Sequence, residues 1–332
     1  SQYWLGASAL CRILFSFGTL AEVRQLMLFV FSLIMFLFLV GISKKINAAT
    51  SLAVLVGLLM VNIWLVPFSL AFSITFFIMF MVCLFVLYYK KEYSYSKLLF
   101  ITGILTAFFD WMSTPIITFA FPVLIIIVLQ MKNNENYKFK CCAKQSIGMG
   151  CGWIAGYGTT VLSKWLIGSI VLKQNIFAIG LGRLDAGVSN TIQGEEAFTF
   201  FDIVKASIRD NFYAMYPISG TPDKREFILM FAVILIMVVV ACIFHKPLNK
   251  LWFAAVVMVI GAAPYVWFVA LKGHCHIHYW FTYRSQAVSV AALFIACSLA
   301  VDREKFAAFH KKNKDKFHQI KTNAFKQQRR KQ

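Results

Sequence analysis

Of 332 residues, 60% are hydrophobic and only 14% charged, and the mean hydropathy is +0.71. That balance excludes an ordinary soluble domain and reads as an integral membrane protein. The net charge of +19 does not point to nucleic acid, because the lysines collect in short loops on one predicted side and in the tail after Val301. That asymmetry marks cytoplasmic loops and favours contact with anionic lipid.

Residues 1–20 carry Arg12 in mid-segment, and they read as an interfacial or re-entrant piece rather than a span. Nine clear spans follow, at roughly 26–43, 48–66, 68–89, 97–110, 114–131, 147–172, 226–245, 251–272 and 285–301. Counted back from the basic tail, they place Lys44, Lys45, Lys90, Lys91, Lys132, Lys138, Lys140, Lys144, Lys246 and Lys250 inside. The expected fold is an all-α polytopic transmembrane bundle over 1–301, with 302–332 as a basic cytoplasmic tail.

The run from Leu98 to Leu129 decides the middle of the chain. As one helix it would be roughly 48 Å long, against a hydrocarbon core of ~30 Å. Pro115 interrupts it and lysines flank both ends, so it predicts a hairpin with Asp110 and Trp111 at its outer tip. An ionisable group at that depth marks a functional site by default. Residues 173–225 form one long outer segment. Within it, Phe198 to Tyr216 has the period of an amphipathic helix capping a cavity, and Glu195 and Glu196 fall on a turn. The eight cysteines fall mostly in apolar spans or a basic loop, so they read as free packing thiols rather than a disulfide framework.

The polar residues unusual for a membrane protein lie toward the predicted outer face. Asp110 would serve as a base, a metal ligand or a structural counter-ion. Lys164 and Trp165 lie near the outer end of their span, and the last connector runs from Lys272 through His274, Cys275, His276, His278 and Tyr283 to Arg284. Arg284 suits bidentate binding of a phosphate, or else snorkelling or pairing with Asp110. Aromatic residues crowd the three histidines and no acid is fixed nearby, so no metal is assigned to them. Nucleotide-binding glycine patterns, a nucleophile elbow and a zinc-protease helix are all lacking; Gly180 and Gly182 lack the rest of a dinucleotide fingerprint. No cofactor is expected.

Four pieces spread over the chain carry a resemblance: Ser1-Gln2-Tyr3-Trp4-Leu5-Gly6; Phe109-Asp110 with Pro115; Gly152-Trp153 through Gly156-Tyr157 to Lys164-Trp165; and His278-Tyr279-Trp280-Phe281-Thr282-Tyr283-Arg284. With them the chain resembles a group of bacterial polytopic membrane proteins of Gram-positive lineages, whose layout is similar to the GT-C class of membrane glycosyltransferases. The resemblance implies transfer of a sugar from a polyprenyl-phosphate donor to a cell-envelope acceptor on the outer face. Arg284 and Lys164 would then hold the donor phosphate, Asp110 would act as base or orient the acceptor, and Trp165, His274, His278 and Tyr283 would line the substrate. Two departures stand out. The group's last connector has Ser and Tyr where this chain has Cys275 and His276, and a key acidic residue of GT-C enzymes would lie upstream of Ser1. The chain opens without a signal-peptide pattern and is expected to be a fragment lacking its amino-terminal part. A lipid or solute transporter or flippase, and a non-enzymatic envelope scaffold, are the alternatives. In every case membrane lipid is the expected partner. Asp110, Lys164, His278 and Arg284 are expected to converge on one outer cavity, roofed by the 198–216 helix.

Overall fold

Short polar side chains set where the helices begin. Thr19 and Glu22 form a reciprocal capping box, Asn47 accepts from the Thr50 amide, Ser94 from Lys97, Asn175 from Ala178 and Thr199 from Asp202. Each satisfies a helix-end N–H that the apolar sequence around it cannot. The computed structural model describes residues 4–89, 91–110, 112–134, 136–189, 199–215, 224–248, 251–302 and 304–311. Trp111, Glu195 and Glu196 lie outside the described residues, as does the tail beyond 311.

In chain order the helices are α1 (Gly6–Phe15), α2 (Leu20–Lys45), α3 (Ala48–Met60), α4 (Leu70–Tyr88), α5 (Tyr95–Phe109), α6 (Ile117–Asn133), α7 (Phe139–Leu172) and α8 (Ile176–Val188). After them come α9 (Phe200–Tyr213), α10 (Lys224–Ile243), α11 (Trp252–Gly261), α12 (Ala263–Ala270), α13 (Lys272–Ile277), α14 (Tyr279–Thr282) and α15 (Ala287–Ala300). The described residues are otherwise loops and 3-10 turns, apart from one isolated bridge between His245 and Val301.

Among the described residues, four helical runs are long and apolar enough to cross a membrane: Leu20–Lys45, Leu70–Tyr88, Trp252–Ala270 and Tyr279–Ala300. Two predicted spans are not single helices. The 48–66 stretch stops at Met60, turns through Asn62 in the left-handed region (φ 54°) and continues as a 3-10 turn over Ile63–Phe68. Pro67, which has no N–H to donate, sits in that turn. The 251–272 stretch pauses at Ala262, before Pro264 in the first turn of α12. At 13, 15 and 17 residues, α3, α5 and α6 span roughly 20–25 Å, less than a bilayer core. α7, with 34 residues, reaches roughly 51 Å.

α6 is the centre of the molecule: from Ile117 to Val128 nearly every side chain is buried. It packs on α4, α5, α7, α11 and α15. Phe31 and Phe38 of α2 meet Phe76 and Phe80 of α4 in a ring cluster beside it. α5 and α6 do form the expected hairpin, joined through 110–116. α5 lies closest to α7, along a seam of glycines. A Cβ on Gly156 would stand 2.0 Å from the Phe100 carbonyl oxygen, and one on Gly103 would stand 2.2 Å from that of Trp153. Only hydrogen fits there, which is how helix backbones approach closely in membranes.

The first twenty residues give a helix of 10 residues, too short to span. Ala7 of α1 packs into an apolar cluster with Ile74, Ile78 and Val82 of α4. α10 exposes Phe231, Leu235, Ile236, Val239 and Ile243, as a lipid-facing helix would. At its far end, Phe244 packs with Phe306 and Phe309 of the tail, whose described part, 304–311, is helical.

Candidate functional site

Asp110 is the residue at which α5 stops. Its amide still closes the last helical turn onto Thr106, and its own backbone turns extended, so the carboxylate points back into the bundle. It is only 3% exposed. Thr75 of α4 donates to its Oδ1 at 3.1 Å, and Ser113 of the hairpin loop donates to the same oxygen. Oδ2 is buried as well, and the Ser113 and Thr114 amides of the hairpin loop also stand against the carboxylate. A buried carboxylate depends on donors of this kind.

A cavity of about 370 Å³ opens there. Asp110 and Met112 stand at one end, Lys164 and Trp165 of α7 in another wall, and Gly180, Leu181 and Leu184 of α8 over the top. Trp4 closes the side: its indole N–H donates to the Thr160 carbonyl at 2.8 Å, and the Lys164 ammonium lies 4.8 Å from its ring centroid. Nearby, the Thr106 and Thr118 hydroxyls meet at 2.7 Å, and Trp153 Nε1 donates to Thr118 at 3.1 Å. These buried bonds tie α5 and α7 to the packed α6 core. The cavity wall is therefore largely apolar, with one carboxylate and one ammonium facing into it.

The histidines approach the same loop from the other side. His274 donates from Nε2 to the Met112 carbonyl at 3.0 Å, and its ring lies 4.7 Å from that of His278. Burial, aided by His278, pushes the His274 pKa down to about 4, so the ring is neutral at physiological pH. Burial also lowers the pKa of His278. Its ring stacks on Phe281, and its buried Nδ1 has no hydrogen-bond partner among the described residues. Phe281 in turn stacks on Phe72, one turn before Thr75 on α4. His274 and His278 thus back the hairpin loop that presents Asp110, without lining the cavity.

Tyr283 and Arg284 are not among the cavity-lining residues. Tyr283 is buried, and its hydroxyl accepts from Asn62 at 3.3 Å. Arg284 donates from Nη1 to Trp280 O at 3.2 Å, and its Nε is buried with no hydrogen-bond partner among the described residues. No ion pair joins Arg284 to Asp110. The last run begins earlier than residue 285, with helical turns over Tyr279–Thr282 and Tyr283–Gln286 that include Arg284. The expected four-residue cluster therefore reduces to Asp110 and Lys164 in one cavity, with His278 nearby and Arg284 elsewhere.

The roof also differs from expectation. The amphipathic helix is present as α9, but it packs on α12, α13 and α14. Asp210 holds His276 at 2.7 Å and Arg209 at 2.8 Å. Buried Asn211 donates to the Cys275 carbonyl and accepts from Thr282 at 2.6 Å. α8 roofs the cavity instead. Gly180 rests on Trp165, where a Cβ would fall 2.4 Å from the indole, and Lys272 donates to the carbonyl of Val188 at the end of α8. The signal for α8 was the glycine pair in IGLGRL. Gly180 of that pair marks a packing face rather than part of a dinucleotide fingerprint.

His276 turns to Asp210 while His274 turns to Met112, so the three histidines do not converge. Among the described residues, no group of three or more His, Cys, Asp or Glu is placed to hold a metal ion. No protein-family model, curated protein or solved structure matches the chain.

Proposed function

We propose that this chain is a GT-C-like membrane glycosyltransferase that moves a sugar from a polyprenyl-phosphate donor to a cell-envelope acceptor on the outer face. In this reading it is a multi-pass cell-membrane protein with its tail on the cytoplasmic side. The observation that carries the reading is the buried Asp110 carboxylate at the end of a mostly apolar cavity that also holds Lys164. An isoprenoid tail suits the wall made by Val161, Leu162, Leu181 and Leu184. The Lys164 ammonium suits the donor phosphate, in the role the sequence had shared with Arg284. Asp110 Oδ2 would accept the acceptor's hydroxyl proton as that oxygen bonds to the anomeric carbon. The bond from that carbon to the phosphate oxygen breaks, and the phosphate leaves with both electrons toward Lys164.

A transporter needs a path between the two faces with polar residues along it, whereas this cavity is mostly apolar. A bare scaffold needs no cavity. The test compares envelope glycans of a deletion strain with those of the parent. Loss or truncation of one glycan class supports transfer, and an unchanged profile under all growth conditions refutes it.

A further inference from the structure

A second polar site lies at the opposite end of the bundle from Asp110. The helix directions establish this: α4 carries Thr75 at the Asp110 end and Val86 to Tyr89 at the other, and α6 runs from the hairpin loop to Asn133. There the C-terminal ends of α2, α4 and α6, with the link 91–94, enclose a cavity of about 570 Å³. Unlike the Asp110 cavity it is predominantly polar. Lys45, Lys91, Glu92, Tyr93, Gln130 and Asn133 are among its lining residues.

Three helix C-termini bring partial negative charge to this end, which basic side chains offset. Lys132 does so directly: its Nζ donates to the carbonyls of Lys45 at 3.0 Å and Ile46 at 2.7 Å. Lys45 and Lys91 are not used that way. Among the described residues neither ammonium makes a hydrogen bond or ion pair, and Lys45 only lies 5.6 Å from the Tyr88 ring centroid. Lys91 and Glu92, though adjacent, do not pair. Gln130 Nε2 donates to the Tyr95 hydroxyl at 2.7 Å, which leaves that hydroxyl's hydrogen to donate onward. Burial and the neighbouring Tyr95 raise the pKa of Tyr93, so it too is a donor at neutral pH. On the outer surface of α4, Met81, Phe85 and Tyr88 are exposed at helical spacing and lead up to the rim.

We propose that this cavity binds a phosphate ester whose alcohol carries free hydroxyls, as in a glyceryl phosphate headgroup. Lys45 and Lys91 take the phosphate, Glu92 and Asn133 take the hydroxyls, and for a lipid the acyl chain lies along the Met81–Phe85–Tyr88 stripe. Glu92 supplies the selectivity: a carboxylate in an otherwise basic pocket accepts from hydroxyls and repels a bare phosphate monoester.

The test uses the intact protein in nanodiscs with phosphatidylglycerol, phosphatidylcholine or phosphatidic acid, reading bound lipid by native mass spectrometry. Phosphatidylglycerol should be retained over both others. The K45Q/K91Q double variant should weaken that retention roughly 30-fold, the effect of losing two ammonium contacts. K138Q/K140Q, an equal charge change elsewhere, should leave retention unchanged, and E92Q should erase the preference over phosphatidic acid. Soluble glycerol 3-phosphate, added in millimolar excess, separates the sources. If it displaces the lipid, or binds in its place with the same dependence on Lys45 and Lys91, the occupant is a soluble phosphate ester. If it does neither, the occupant is the lipid headgroup. Equal retention of phosphatidylglycerol and phosphatidylcholine, with no binding of glycerol 3-phosphate, overturns the proposal. So does an equal loss in K45Q/K91Q and K138Q/K140Q.

Discussion

Replacing Gly156 with Ala tests whether the α5–α7 seam holds the cavity in shape. The added Cβ would lie 2.0 Å from the Phe100 carbonyl oxygen and 3.1 Å from the Ile104 amide, both backbone atoms that cannot swing aside. Ordinary contact begins at 3.4 Å, so the backbones must part by well over an ångström, and the glycines at 152 and 103 lie on the same seam. Ala is otherwise the better helix former, by ~1 kcal/mol. Overpacking of this kind costs about 1–3 kcal/mol, and more where backbone must move. The steric cost therefore wins. The matched control is Gly158→Ala, two residues along the same helix, where a Cβ meets nothing within 4 Å. Thermal unfolding in detergent, followed by loss of the monodisperse peak in size-exclusion chromatography, should show Gly156→Ala destabilised and Gly158→Ala unchanged or slightly stabilised. Equal stability of the two variants would refute the close-packed seam.

Asn211→Leu should lower the unfolding midpoint, because it leaves the buried Cys275 carbonyl without its Asn211 donor, at about 1–3 kcal/mol, and leaves the Thr282 hydroxyl only its bond to the His278 carbonyl; faster proteolysis at Arg209 would register release of α9. His274 titrates lower when folded, at about 4, than when unfolded, so the unfolded chain binds the proton first. Stability should therefore be full above pH ~6.5 and fall as the pH drops toward 4, by roughly 3 kcal/mol in the limit. His274→Gln should flatten that fall, and an unchanged slope in melts from pH 7.5 to 4.5 would refute it. With the exposed Cys141, Cys151 and Cys242 changed to Ser, cysteines placed at Arg183 and Lys91 should be labelled from opposite faces of intact cells; labelling from one face would reject the topology.

What could be read from residues alone was what a single helix determines. Pro115 and the flanking lysines foretold the hairpin and the position of Asp110, and the period of Phe201, Ile203, Val204, Ile208 and Phe212 foretold α9. Two kinds of information were out of reach. Backbone breaks inside uniformly apolar runs, such as the one at Asn62, leave little trace in hydropathy, although Pro67 and Pro264 stood near them. Which helix covers which depends on contacts distant in sequence. α9 binds α13 through Asp210–His276 and Asn211–Cys275, so it sits away from Asp110, and the roof falls to α8 through Gly180 on Trp165. Arg284 was assigned by depth alone, and depth does not specify the side of the bundle a residue faces.

Asp110→Asn gives the most direct measurement of the central claim. Asn keeps the shape and an Oδ1 that accepts from Thr75 and Ser113, while an amide nitrogen replaces Oδ2. The negative charge and the proton-accepting chemistry of the carboxylate are lost. The variant is expressed in the deletion strain, matched to wild type in membrane abundance and unfolding midpoint, and the envelope glycans are profiled. The site proposed here predicts that wild type restores the parental profile and Asp110→Asn leaves the deletion profile. Full restoration by Asp110→Asn would reduce Asp110 to a structural acceptor for Thr75 and Ser113, and would contradict its role in transfer.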